Sequence, residues 1–368
     1  MAVISNQYVP DYSIHPGEYL EEVLEARELQ KSDLAARAGL TPKTVSQIIK
    51  QRAAFSTETA LQFEKILGIP ARIWLRMLSD YELFESRAKE KEELEKSIAW
   101  TRNFPLADLK RIGVISKHAK GSQIVSEILS FFQVGSIESW NDYYSRKAVA
   151  YRKSPTLDAS DFSMTTWLQL AEIQARKLDT AGYDEKRIRK AIPELRKLTK
   201  DPPDVFEPEI YRLCAECGVA VVLVPELTGT RVSGATEWLS PEKAMVALSL
   251  RYKSDDHFWF TLFHELAHVL LHNKKPIYID SDSQDESEQE TEANRFARNV
   301  LVPPSEYRHF LERGKFYESD IRAFARKLEI APGIVVGILQ HEGHIDFKWQ
   351  NGLKRRFEFR AGSGETSL

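Results

Sequence analysis

Apolar side chains follow two kinds of spacing along this chain of 368 residues. In residues 100–200 they recur at helical intervals and predict a helical region. Shorter apolar runs at residues 219–224, 233–239 and 244–250 predict strands. A longer run, Phe258–Leu271, is apolar on most sides and predicts a buried helix. The order of these segments along the chain predicts a small mixed sheet packed on the buried helix. We expect strand 244–250, which lies nearest to that helix in the sequence, to form an edge of the sheet.

Two short helices joined by a glycine are predicted near the N-terminus. The first, in residues 32–40, ends at Gly39, and Thr41 then offers an N-cap residue before Pro42. The second reaches about Lys50, with apolar side chains on one face and polar side chains on the other. This pattern is typical of a helix-turn-helix, whose second helix enters the major groove of DNA.

Net charge favours DNA binding only locally. The whole chain carries −3 and residues 1–80 carry −1, whereas residues 31–52 hold five basic side chains and one acidic one, a net charge of +4. Such a face suffices for phosphate contacts, while side chains of the second helix read base edges. The alternative is a small helical interaction domain with a solvated basic face. The candidate DNA-contacting residues are Lys31, Ser32, Lys43, Thr44, Ser46, Gln47, Lys50 and Arg52.

The predicted buried helix carries the pattern His264-Glu265-Leu266-Ala267-His268. Because residues four apart share a helix face, His264 and His268 can turn their imidazoles toward one metal ion. Two neutral imidazoles suit Zn²⁺, and Glu265 is placed to take a proton from water, so the pattern predicts a zinc-dependent hydrolase. Paired histidines also occur by chance, but His and Glu side chains without a ligand are costly to bury in so apolar a helix.

A catalytic zinc needs a third protein ligand and leaves its fourth position to water. Glu288, Glu290 and Glu292 are the candidates downstream of the buried helix. Glu290 shares a helix face with Asn294, which suits a ligand and its supporting partner, whereas Glu292 lies about 160° round the helix from Glu290. His272 lies one turn beyond the motif and is either a fourth ligand, which would make the zinc structural, or a supporting or surface residue.

These motifs resemble the ImmA/IrrE family of zinc metallopeptidases, whose pattern is HExxH, then ExEANxFA, then a hydrophobic-proline ending. The matching segments are His264–His268, Glu290–Ala297 and Leu301-Val302-Pro303, within a resemblance that spans about residues 205–345. Val302 stands where the family usually has Met, which affects packing alone. The resemblance implies a zincin-like α+β domain with the Zn²⁺ ligands His264, His268 and Glu290, the general base Glu265 and, in reserve as a ligand, Glu292.

The N-terminal pattern resembles the Xre/Cro type of helix-turn-helix, specifically its HigA-type antitoxin branch, over about residues 13–84. The matching segments are His15–Leu20, Leu34-Ala35-Ala36, Thr44–Ile49 and a helix from about Ala60 to Leu75. The resemblance implies a five-helix domain that binds a double-stranded, palindromic operator as a homodimer. It also implies a cognate toxin as a further partner.

Cys214 and Cys217 form a CxxC pair, a pattern that serves zinc or redox chemistry when it opens a helix after a strand. Here the pair ends a helical pattern and precedes a strand, and the sequence holds no other cysteine. We therefore predict two reduced cysteines packed on a helix.

The sequence as a whole predicts a mainly α, multidomain protein. The helix-turn-helix domain covers residues 1–84, a helical linker or middle domain 85–200, the metallopeptidase-like domain 201–345, and a C-terminal extension and tail 346–368. Within these, we predict a charged spacer helix at 85–96, a flexible acidic loop at 280–287 and disorder at 361–368. No run of 18 apolar residues and no signal-peptide pattern occurs, so we expect a cytoplasmic protein.

Three functions agree with these patterns. We expect a transcriptional regulator that binds its operator and whose zinc-dependent peptidase cleaves a protein, either a repressor or itself, when a signal arrives. One alternative is a HigA-like antitoxin or repressor with a catalytically silent metal site. The other is a protease whose N-terminal domain docks on a partner repressor. Tyr278, His341 and His344 are the candidates for stabilising an oxyanion.

Overall fold

The structure, a computed structural model, describes residues 12–53, 55–152, 159–272, 278–281 and 287–359. The chain divides into two compact units, Met1–Ala99 with Lys120–Val125, and Trp100–Ala119 with Ser126–Leu368. Helices dominate both, and the sheet belongs to the second unit. Among the described residues, none of the helices combines the length and the apolar character that a bilayer crossing requires.

Five helices surround one apolar core in the described part of the first unit, as predicted. Their bounds are α1 Pro16–Ala26, α2 Lys31–Ala38, α3 Pro42–Ile49, α4 Thr57–Leu67 and α5 Ala71–Lys96. The core takes side chains from every helix, and Leu34, Val45, Phe63 and Trp74 are fully buried in it. The predicted charged helix at 85–96 is the second half of α5 rather than a separate element.

Local signals fix the turn between α2 and α3. Gly39 ends α2 with φ of 66°, in the left-handed region that glycine adopts without strain. The Thr41 hydroxyl accepts a hydrogen bond of 3.1 Å from the Thr44 amide and so caps α3. The expected single helix from Ala60 to Leu75 is wrong, because Gly68 ends α4 with φ of 63° and a proline precedes α5.

From residue 98 onward the described chain combines helices with four strands. The helices are α6 Leu106–Arg111, α7 Ser122–Phe132, α8 Ile137–Arg152, α9 Ala159–Lys177, α10 Glu185–Lys197, α11 Pro203–Ala215, α12 Asp255–Leu271, α13 Glu288–Leu301, α14 Pro304–Glu312, α15 Glu318–Leu328 and α16 Pro332–His341, with short 3₁₀ turns at Ile98–Asn103, Leu198–Lys200 and Asn351–Leu353. The strands are β1 Val219–Leu223, β2 Val232–Ser240, β3 Lys243–Leu248 and β4 Tyr278–Ser281. The predicted mainly α fold with a small mixed sheet is therefore confirmed.

The sheet has the order β1-β3-β2-β4. β3 pairs in parallel with β1 and antiparallel with β2, and β2 pairs antiparallel with β4. The prediction that strand 244–250 forms the edge is wrong, because β3 has a partner on each side. The edges among the described residues are β1 and β4. The predicted acidic loop at 280–287 is wrong at its start, because Asp280 and Ser281 pair with β2 as the end of β4. Residues 282–286 of that loop and the predicted disordered tail at 361–368 lie outside the described residues.

Both faces of the sheet are covered. Helix α9 packs Trp167 and Ala171 against Val222 and Met245 on one face. On the other face, α12 packs against β2 and β3 within the largest apolar cluster, where Leu266 belongs. The buried strands therefore read as continuous apolar runs, as strands covered on both faces do. This layering fixes the helix that carries the HExxH motif directly on the sheet.

Candidate metal centre and helix-turn-helix surface

Helix α12 carries three ionisable side chains in an almost fully buried stretch. His264, Glu265 and His268 expose 2%, 0% and 1% of their surface. Burial of such groups is costly unless polar partners replace the lost water. The partners of these three side chains therefore indicate what the site is built to hold.

Three ligand atoms converge between α12 and α13. His264 Nε2 lies 3.1 Å from Glu290 Oε2, His268 Nε2 lies 3.4 Å from Glu290 Oε1, and the two Nε2 atoms are 3.0 Å apart. Ligands about 2.0–2.2 Å from a tetrahedral zinc ion are about 3.3–3.5 Å from one another. Two imidazoles and one carboxylate at this spacing fit a zinc ion, and among the described residues this group is the His, Cys, Asp or Glu cluster arranged to hold a metal.

The far side of each imidazole also has a polar partner. His264 Nδ1 donates to Asn294 Oδ1 over 2.9 Å, which leaves Nε2 of that ring as the ligand atom. His268 Nδ1 lies 2.9 Å from His272 Nδ1, and His272 Nε2 lies 3.4 Å from Glu292 Oε2. His272 and Glu292 therefore lie behind the converging atoms, in a chain of contacts that supports His268.

Burial and hydrogen bonding set the charges of the cluster. Although burial raises the pKa of Glu290, hydrogen bonds with His264 and His268 outweigh it and lower that pKa from 4.5 to about 2. Burial lowers the pKa of His268, so its ring stays neutral near pH 7. An ionised carboxylate and a neutral imidazole are the protonation states in which these groups bind metal.

The Glu265 side chain contacts the sheet. The Thr236 hydroxyl on β2 donates a hydrogen bond of 2.7 Å to Glu265 Oε2. Sequence reasoning missed Thr236, because a threonine in a predicted strand carries no signal until the register of that strand against the helix is known. The other carboxylate once considered as a ligand, Glu288, is exposed at the start of α13.

The three candidates for oxyanion stabilisation lie in different places. The Tyr278 ring on β4 stacks on His268, with ring centroids 4.2 Å apart and planes at 17°. His341 lines a cavity of about 880 Å³ that also reaches Thr261, one turn before Glu265, and Asn294. His344 lies 3.5 Å from the Glu342 carboxylate. Tyr278 is thus the one of the three that contacts a member of the metal cluster.

The helix-turn-helix presents most of the predicted DNA-contacting side chains to solvent. The exposed ones are Lys31, Ser32, Lys43, Gln47, Lys50 and Arg52, and the partly buried ones are Thr44 and Ser46. Lys31 forms an ion pair of 2.5 Å with Glu21, and the Thr44 hydroxyl lies 2.8 Å from that of Thr41. Lys43 and Gln47 lie one turn apart on the exposed side of α3.

The cysteine pair is packed in the interior. Cys214 lies in the last turn of α11, Cys217 lies just before β1, and both are buried, free thiols. Burial raises the pKa of both thiols, which keeps them protonated and unreactive. The prediction of two reduced, packed cysteines is confirmed, although only Cys214 lies on the helix, since α11 ends at Ala215.

Two family models match the chain. A helix-turn-helix model matches residues 20–74, and a peptidase M78 model, described as an IrrE N-terminal-like domain, matches residues 220–336. The first range runs from α1 into α5. The second contains the sheet, the motif on α12 and Glu290, so the converging ligand atoms all lie within the matched domain.

Several individual proteins are similar to part of the chain. Virulence-associated protein I of Dichelobacter nodosus is 33% identical over 72 residues, which are 19% of this chain and 67% of that protein. A putative antidote protein of a plasmid maintenance system from Nostoc punctiforme is 26% identical, covers 23% of this chain and 94% of its own, and has a TM-score of 0.23. A HigA-family addiction module antidote protein from Coxiella burnetii is 27% identical, covers 23% and 94%, and has a TM-score of 0.21. From the two matched models, the chain joins an Xre-type helix-turn-helix DNA-binding domain to a C-terminal domain of the IrrE/ImmA (M78) peptidase family.

Proposed function

We propose that this protein is a DNA-binding regulator whose second unit hydrolyses peptide bonds with a zinc ion held by His264, His268 and Glu290. The observation that carries the proposal is the convergence of these three donors, within 4.8 Å of one another, on the helix that also carries the buried carboxylate of Glu265 and on its neighbour α13. A structural zinc site takes four protein ligands, whereas three ligands and an adjacent carboxylate are the composition of a hydrolytic site.

The mechanism assigns one role to each polar side chain. When bound, zinc supplies a Lewis acid that makes water acidic enough to react near pH 7. Glu265 takes the proton of the attacking water and delivers it to the leaving amine. Asn294 and His272 hold the rings of His264 and His268 through their Nδ1 atoms, so that both rings present Nε2 to the metal.

The substrate of this site is a polypeptide in an extended conformation. Among the described residues β4 is the last strand of the sheet, and its Tyr278 ring lies against His268, so this edge runs beside the metal cluster. Extended peptides bind sheet edges through main-chain hydrogen bonds. The cavity of about 880 Å³ beginning at Thr261 and Asn294 then receives side chains of the same substrate.

The first unit binds the operator DNA. Its basic segment and the exposed Lys43 and Gln47 support operator binding through α3, with two copies of the chain on a palindromic site. A peptidase on the same chain suits a regulator that is switched by cleavage, either of a repressor or of the chain itself, when a signal arrives.

Glu265→Gln tests the proposal in the full-length chain loaded with zinc. Cleavage of a quenched-fluorescent, mixed-sequence decapeptide library, and of the chain itself, is followed by fluorescence and mass spectrometry. The variant should retain zinc and its affinity for a duplex selected from random DNA, and should lose about 10²- to 10⁴-fold in cleavage rate. Equal cleavage by variant and wild type contradicts the proposal. A wild-type chain that binds zinc and DNA but cleaves nothing supports a repressor with a silent metal site instead.

A further inference from the structure

One face of β2 contacts the carboxylate of Glu265 at two points. Gly234 and Thr236 are two residues apart, so they lie on the same face of the strand, which α12 covers. Thr236 Oγ1 is 2.7 Å from Glu265 Oε2 and 3.1 Å from the main-chain oxygen of Glu265. A Cβ atom built on Gly234 would lie 2.5 Å from Glu265 Oε1 and 2.8 Å from its Cγ.

We infer that Thr236 is a positioning residue for the general base, and that Gly234 provides the space in which the positioned carboxylate lies. This inference rests on the proposed function of Glu265. The hydrogen bonds of the Thr236 side chain go to Glu265, so Thr236 acts through that residue.

The hydrogen bond from Thr236 restricts the rotation of the Glu265 carboxylate about its terminal bond. The terminal torsion of a glutamate is broad, because it joins an sp³ to an sp² carbon. A hydroxyl bound to one carboxylate oxygen by a short, charge-assisted bond fixes the plane of the group. With Oε2 held on β2, the direction from which Oε1 accepts a proton is fixed as well.

The backbone at Gly234 cannot shift to make room for a side chain at that position. Its strand is paired on both sides, with Leu248 of β3 and Asp280 of β4 as partners of residue 234. On the helix side, the same added Cβ would lie 2.6 Å from Thr261 Cγ2. An alanine at 234 is therefore accommodated by moving the Glu265 carboxylate and the Thr261 side chain, not by moving the strand.

Kinetics with the library peptide that the wild-type chain cleaves fastest separate positioning from packing. Thr236→Val should lower kcat about 10- to 100-fold with zinc content and KM unchanged, and Thr236→Ser should restore most of kcat. Gly234→Ala should lower kcat in the same way. The controls are Thr166→Val, which removes another buried threonine hydroxyl, and Gly135→Ala, where an added Cβ has no atom within 4 Å.

A stability cycle tests the same contact without any activity. Thr236→Val should lower the melting temperature of the full chain by about 2–4 °C in the wild-type background and by clearly less in a Glu265→Met background, where the hydroxyl keeps only its 3.1 Å contact with the main-chain oxygen of residue 265. Equal shifts in both backgrounds overturn the inference, as does a loss of kcat no larger than that of Thr166→Val. If the wild-type chain cleaves no peptide, the proposed function fails by itself, and the cycle still decides whether Thr236 holds Glu265.

Discussion

The two units place their candidate functional side chains in opposite environments. On α3 of the first unit, Lys43 and Gln47 are exposed, and the helix beneath them is held by buried Val45 and Ile48. In the second unit, His264, Glu265 and His268 are themselves buried, and polar partners hold each of them. In the first unit position comes from the apolar core, and in the second it comes from hydrogen bonds.

This difference decides how each unit responds to mutation. An exposed side chain can be removed with little effect on its neighbours, so a change on α3 should affect DNA contacts alone. A buried polar side chain leaves its partner without a hydrogen bond when it is removed. Changes around α12 should therefore propagate to the ligand atoms even when the mutated residue touches no metal.

Loss of a ligand should give the largest effect. His264→Ala leaves two donors, which is fewer than a zinc site needs, so zinc per chain should fall and peptide cleavage should drop by more than about 100-fold. Zinc analysis and the decapeptide assay measure both losses. Affinity for operator DNA, measured by fluorescence anisotropy, should stay unchanged. A His264→Ala chain that still binds one zinc ion per molecule would show that the ligand set is wrong.

Removal of an orienting partner should have the next largest effect. Asn294 is exposed but holds His264 Nδ1, so Asn294→Ala should weaken zinc binding or cleavage about 10- to 100-fold with little loss of stability. Competition with a chelator of known affinity measures the first quantity. Gln289→Ala, on an exposed position of the same helix, is the matched control and should change neither. Equal behaviour of the two variants would mean that the outer hydrogen bond does not orient the ring.

The same contrast explains what the sequence could reveal. The shared face of His264 and His268 follows from helix geometry, as does the expectation that only one of Glu290 and Glu292 can face them. The choice of Glu290 came from the resemblance to the ImmA/IrrE motif. The partner of Glu265 follows from neither, because Thr236 meets it only through the packing of a strand on a helix. The interior place of β3 was predicted wrongly for a related reason, since the order of strands depends on pairings between distant segments.

Removal of the side chains of α3 that contact bases should have a moderate effect, and only on DNA binding. Lys43→Ala and Gln47→Ala should each weaken binding to the selected operator by about 1–3 kcal/mol per lost base contact, and cleavage of the decapeptide should not change. Anisotropy titrations at fixed salt measure the loss. Lys65→Ala, which removes a basic side chain of α4, is the control. Unchanged operator affinity in both α3 variants would favour the reading in which the first unit docks on a partner repressor.

The smallest effect should come from His15, a buried polar side chain of the first unit. Its neutral Nδ1 accepts a hydrogen bond of 2.9 Å from the Gly17 amide and caps α1. Burial lowers the pKa of His15 below 6.5, although Glu18 and Glu82 raise it. The unfolded chain therefore binds a proton more readily, so the stability that this group contributes is complete above pH 6.5 and is lost as pH falls through the folded pKa.

His15→Asn isolates that contribution, because asparagine also caps helices but does not titrate near neutral pH. The melting temperature of the wild type minus that of the variant should decrease as the pH is lowered from 7.5 to 5. The contributions of all other ionisable groups cancel in this difference. The corresponding change in the free energy of unfolding should not exceed the roughly 1 kcal/mol that a helix cap contributes. A difference independent of pH would mean that the His15 ring is not held neutral by burial.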